Sequence, residues 1–149
     1  MRHLFFIAFC VLLAACADNS RQKEAEALLT QASAQFEQGR YDLALISIDS
    51  LRKVYPEAID TRKRALRLYQ DIELKRSKEE LAVVDSTLQA VSREYESLKA
   101  KVEKDKQELR ATPEELTQLT KMRIRRDSLQ TQYEVLGAKI RYIHQKQKE

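Results

Sequence analysis

Apolar residues recur at steps of three and four along most of the chain, the spacing of one face of an α-helix. Leu28, Leu29, Ala32 and Phe36 mark a first helix from about Glu24, with Ser20 as a candidate N-cap and Gly39 placed to end it. Ala44, Leu45, Ile48 and Leu51 mark a second helix. Tyr55-Pro56 closes it, because the residue before a proline is pushed out of the helical region. Ala65, Leu66, Tyr69 and Ile72 begin a third. From Leu81 the pattern tightens into heptads: Leu81, Val84, Leu88, Val91, Tyr95, Leu98 and Val102. A second run follows: Leu119, Met122, Arg126, Leu129, Tyr133, Leu136, Ile140 and Ile143.

Between the two heptad runs stands Ala111-Thr112-Pro113-Glu114-Glu115. Thr112 as N-cap, Pro113 in the first helical position and Glu115 as the reciprocal partner spell a helix start. A chain that turns near 111–113 brings the runs face to face in antiparallel order. Leu81 then meets Ile143, Leu88 meets Leu136, Leu98 meets Arg126 and Val102 meets Met122. The alternative, one continuous helix kinked at Pro113, costs about 3 kcal/mol and leaves both apolar seams uncovered. Arms of about 30 residues would be roughly 45 Å long, and the leading arm can run unbroken from the third helix near Ala58. Asp105 and Arg126 put charge where a sealed seam wants apolar side chains; isolated polar seam residues fix register. Gly137 inside the second arm calls for close approach by another helix, or for an end to the arm.

Composition sharpens this picture. The 149 residues include two glycines and two prolines, and 34% are charged. So few turn residues exclude sandwiches, barrels and doubly wound sheets, and the expected fold class is all-α. The residues that carry chemistry are also scarce. The cysteines are Cys10 and Cys16, the histidines His3 and His144, and the glycines Gly39 and Gly137. That inventory gives no metal-ligand spacing, no phosphate loop and no activated nucleophile. The expectation is therefore no catalytic, cofactor-binding or metal residues, no enzyme and no small-molecule substrate. The net charge is +4. Its densest run, Lys121, Arg123, Arg125 and Arg126, interleaves with Met122 and Ile124 rather than with aromatics, so nucleic acid is not an expected partner. A second basic group, Lys139, Arg141, Lys146 and Lys148, could meet anionic headgroups, each worth about 1 kcal/mol near a membrane surface.

The N-terminus reads as an address. A basic start is followed by ten unbroken apolar residues, Leu4 to Leu13, and then by small residues. This is the layout of a secretory signal peptide, and the apolar core is shorter than the roughly 20 residues needed to span a bilayer. Leu13-Ala14-Ala15-Cys16 resembles the box of bacterial lipoproteins. The resemblance implies cleavage between Ala15 and Cys16, a diacylglycerol on the Cys16 sulfur and acylation of the new amino terminus. Two or three acyl chains hold a protein on a membrane stably. The implied location is the bacterial cell envelope, lipid-anchored and on the outer membrane, with the periplasmic or surface face left open. Asp18, two residues after Cys16, does not decide the sorting.

Ala32, Phe36, Gly39-Arg40-Tyr41, Ala44-Leu45, Ile48, Leu51 and Pro56 resemble one tetratricopeptide repeat. Gly makes the tight turn, Ala lets two helices approach, and aromatics fill the groove between them. With the lipobox, this arrangement is similar to the start of the repeat lipoproteins of the outer-membrane β-barrel assembly machinery. Those continue with further repeats; here no second Gly-x-Tyr follows. An incomplete array leaves a groove to be covered by the long helix, a second copy or a partner.

The expected organisation is a signal peptide over 1–15, a lipidated cysteine and short linker over 16–23, a repeat-like helical unit over 24–74, and a coiled-coil hairpin over 75–149. The expected function is a membrane-anchored, non-catalytic adapter for other envelope proteins. Its groove would use Leu28, Phe36, Tyr41, Ile48 and Tyr69. The alternative is a self-associating structural or spacer lipoprotein, for which Ile124 and Tyr142, lying off the seam, are candidate contacts.

Overall fold

The structure, a computed structural model, describes the backbone from residue 2 and the side chains of residues 20–149. Leu4 to Leu13, Ala15, Cys16 and Asp18, on which the address and anchor depend, have side chains outside the described residues. The described residues form four helices and no strand: α1 (Arg2–Glu37), α2 (Tyr41–Val54), α3 (Ile59–Gln107) and α4 (Pro113–Lys146). The chain divides into two compact units, residues 1–73 and 74–149, and α3 contributes to both.

In the first unit α1 and α2 are joined by a tight turn at Gly39. Gly39 takes the left-handed conformation, φ 71°, which glycine reaches without a steric penalty. Its N–H donates to the Phe36 carbonyl at 2.9 Å, and the next N–H, of Arg40, donates to the Gln35 carbonyl at 2.8 Å. These two bonds satisfy carbonyls that the end of α1 would otherwise leave open. Ala25, Ala32, Ala44 and Ala65 are fully buried, and their small side chains let the helices pack closely. Leu29, Ile48, Leu51 and Ile72 fill the core with them. Ser20 does not cap α1. It lies within the helix, and its hydroxyl donates to Glu24 Oε1 one turn on.

In the second unit α3 and α4 run antiparallel. Lys101 near the end of α3 pairs with Glu115 at the start of α4, while Arg126, farther along α4, reaches back to Tyr95 and Glu96. The helix start read at Thr112 is present in full. Its hydroxyl accepts from the Glu115 N–H at 3.2 Å, the Glu115 carboxylate accepts from the Thr112 N–H at 3.0 Å, and Pro113 opens the helix. The turn itself comes earlier than expected. The chain leaves α3 after Gln107, and Leu109 takes φ 58°. Its N–H donates to Lys106, and the N–H of Arg110 donates to Asp105 at 2.7 Å. This repeats the hydrogen bonding at Gly39, with leucine in place of glycine.

The earlier turn shifts the facing of the two arms. The Arg126 guanidinium lies 4.3 Å from the centre of the Tyr95 ring, where the expected register put Arg126 against Leu98. Leu98 and Met122 instead line one shallow depression together. The displacement is about half a heptad. Its cause is that Thr112 already belongs to α4 as its cap, so the turn is centred on the residues before it.

The seam positions nonetheless face inward. Val84, Val91, Tyr95, Val102, Leu136 and Ile143 are buried, and only Tyr133 sits at an open edge. Asp105 is held by Lys101 at 2.9 Å and faces Arg110 at 3.7 Å. Gly137 neither ends the arm, since α4 continues to Lys146, nor meets another helix. A Cβ built there would touch only the flexible tip of Arg141, at 3.5 Å.

Candidate interaction surface

Within the first unit, α1 is bonded to the turn after α2 and to the start of α3. Arg21 pairs with Glu57 and donates to the Val54 carbonyl at 2.8 Å, while its guanidinium lies 5.3 Å from the Tyr55 ring centre. The Tyr55 hydroxyl donates to Glu24 at 2.8 Å, and that hydrogen bond, helped by desolvation and by the carboxylate's charge, pushes the phenol's pKa up. One turn on, the Thr61 hydroxyl donates to Glu26 at 2.5 Å and accepts from Gln22 at 2.8 Å; Arg64 also binds Glu26. Thr61 is fully buried. Its hydrogen bond, with help from Arg64 and against the cost of desolvation, holds the Glu26 carboxyl below the usual carboxylate range. This network is structural: each member's partner is another member or a backbone group.

The five residues expected to line an open groove are not brought together as one. Ile48 is 1% exposed and belongs to the core, so it cannot meet a partner. Leu28, Phe36 and Tyr41 are half-buried against that core, with the Phe36 and Tyr41 rings 6.0 Å apart. Tyr69 alone of the five is exposed, at 39%. A different apolar surface is open. Ile59 (61% exposed), Leu66 (49%) and Tyr69 fall on one face of α3, spaced by seven and three residues.

A shallow depression of about 230 Å³ lies there between α2 and α3, lined by Ile59 and Leu66 together with Arg52, Arg62 and Lys63. No carboxylate lines it. Lys63 reaches Asp60 only loosely, at 3.5 Å, and Arg62 gives one terminal nitrogen to the Pro56 carbonyl at 2.7 Å. Arg62 Nε is buried without a hydrogen-bond partner. The hydrophobic pattern alone did not reveal this surface, since Ile59 and Leu66 share their periodicity with the core residues Ala65 and Ile72. The available signal was the cluster of cations at 52, 62 and 63, which sits poorly beside residues meant for a core.

On α4, Ile124, Val135 and Tyr142 are each about 60% exposed. With Ser128, Thr131 and Ala138, also exposed, they form an uncharged heptad stripe opposite the face that meets α3. Among the described residues, no group of three or more His, Cys, Asp or Glu is placed to hold a metal ion, and no helix is long and apolar enough to cross a membrane. No protein family, curated protein or solved structure matches this chain.

Proposed function

We propose that this chain is a bacterial envelope lipoprotein, anchored through acyl chains on Cys16, that works as a non-catalytic adapter between the membrane and other envelope proteins. The anchor reading rests on the basic start, the ten-residue apolar core and Leu13-Ala14-Ala15-Cys16. In this reading α1, α2 and the start of α3 make a tetratricopeptide-like unit of one repeat and a half, and α3 with α4 makes an antiparallel coiled coil. The observation that carries the adapter role is the exposed apolar face of Ile59, Leu66 and Tyr69 on a unit whose own core is already filled. Contiguous exposed apolar surface beside charged side chains marks protein contact sites.

Two measurements test the proposal. Labelled fatty acid enters the wild-type protein and not Cys16→Ala; equal labelling of both rejects the anchor. Chemical crosslinking in the native envelope, followed by purification and mass spectrometry, yields a specific second protein linked through residues 25–72. The second reading is a self-associating spacer, favoured by the uncharged stripe from Ile124 to Tyr142. Crosslinks between copies through that stripe, with no second protein, would establish it in the adapter's place.

A further inference from the structure

The depression between α2 and α3, with Tyr69 one turn beyond Leu66, combines two features that call for different chemistry in whatever covers it. Ile59, Leu66 and Tyr69 offer apolar contact over about 15 Å of α3, the length of nearly three helical turns. A helix laid along that line presents side chains at the same three-and-four spacing, which an extended strand does not. Arg52, Arg62 and Lys63 stand around this line with no carboxylate among the lining residues. We propose that the α2–α3 depression is the docking site for an amphipathic helix of another protein, one whose apolar stripe is edged with carboxylates.

The α4 stripe of a second copy of this chain fits poorly as the occupant. It is edged by Lys121, Arg125, Lys139 and Arg141 against only Asp127 and Glu134. Placed in the depression, that stripe would set cations against Arg52, Arg62 and Lys63. Like charges across an interface are strongly disfavoured, so electrostatics selects a foreign, acidic partner. The inference rests on the adapter reading and narrows it to one surface and one class of partner.

The test places a photo-crosslinking amino acid at Leu66, or in a separate strain at Tyr69, in the full-length protein in its own cells. Both side chains are substantially exposed, so their replacement leaves the core in place. The expected result is one heterologous adduct whose linked peptide carries more Asp and Glu than Lys and Arg, with apolar residues at helical spacing. Adding Arg62→Glu, or separately Lys63→Glu, should lower the adduct yield about ten-fold. Lys63 makes only the loose contact with Asp60, so that variant keeps its fold, which circular dichroism verifies.

Adducts to another copy alone, a linked peptide that is basic, a yield indifferent to both charge reversals, or no adduct at all would each overturn the proposal. A further probe at Val135 separates the two levels of the argument. A heterologous adduct there, with none at Leu66 or Tyr69, rejects the depression and keeps the adapter. No heterologous adduct from any of the three positions rejects both.

Discussion

Leu109 occupies a backbone conformation that L-residues avoid, and replacing it with glycine should stabilise the second unit. At φ 58° its Cβ crowds the following carbonyl, a cost of roughly 1–2 kcal/mol for a residue other than glycine. The side chain is 95% exposed, so Leu109→Gly removes almost no packing. Glycine's greater freedom in the unfolded chain takes back part of the gain, about 0.5–1 kcal/mol. The net expectation is a stabilisation of about 1 kcal/mol. In urea unfolding followed by circular dichroism, that moves the midpoint of the second unit up by roughly 0.3–1 M.

Two controls sort the causes. Leu109→Ala keeps the strained backbone and removes the same exposed side chain, so it should stay within about 0.5 kcal/mol of wild type. Gly39→Ala is the mirror experiment. A Cβ at Gly39 meets nothing within 4 Å, so its expected cost of about 1 kcal/mol comes from the backbone alone. If Leu109→Ala stabilises as much as Leu109→Gly, the exposed leucine rather than its φ angle was the burden. If Leu109→Gly gives no gain, the reasoning from conformation fails outright.

Other perturbations follow from the same geometry. Gly137→Ala should raise stability by about 1 kcal/mol in the same urea assay, because the helix interior disfavours glycine and the site has room for a methyl group. Thr112→Ala removes the side-chain acceptor of the capping box and should cost about 1 kcal/mol, whereas Thr112→Ser should cost little. Glu26 has a depressed pKa in the folded chain, so its stabilising contribution is present above the unfolded carboxylate pKa near 4.3 and is lost as pH falls through the lower folded value. Melting temperatures between pH 6 and pH 3 should therefore fall less steeply in Glu26→Gln than in wild type; parallel curves would show that the Thr61 and Arg64 contacts do not act on the carboxylate.

The inward row of α3 was legible because period and burial coincide there: each heptad residue from Leu81 to Val102 is buried or half-buried. The cap at Thr112 was legible because its residues are the ones the geometry demands. The other side of the same turn was not. A leucine in a left-handed position carries no sequence signal, and missing it displaced the predicted facing by half a heptad. Gly39 shows the contrast: the same pair of hydrogen bonds, but with the residue that announces them. The apolar surface of the first unit was misplaced for a different reason. A helix between two neighbours buries a wide arc, so periodicity finds Ile48 and Leu66 equally apolar and cannot tell that one is covered and the other open.

The five residues from Glu108 to Thr112 also make the second unit divisible. They are the non-helical stretch between α3 and α4, and Arg110 within them is open to solvent. A protease that cuts after arginine should reach this bond before any in the helices, where the backbone is hydrogen-bonded in place. Each fragment would keep its complete row of inward-facing side chains. What one chain achieves by folding back, two pieces would then have to achieve by meeting, and their union would depend on concentration. The stretch is therefore also where a tag or a foreign sequence can be inserted at least cost, since lengthening a loop adds entropy only logarithmically.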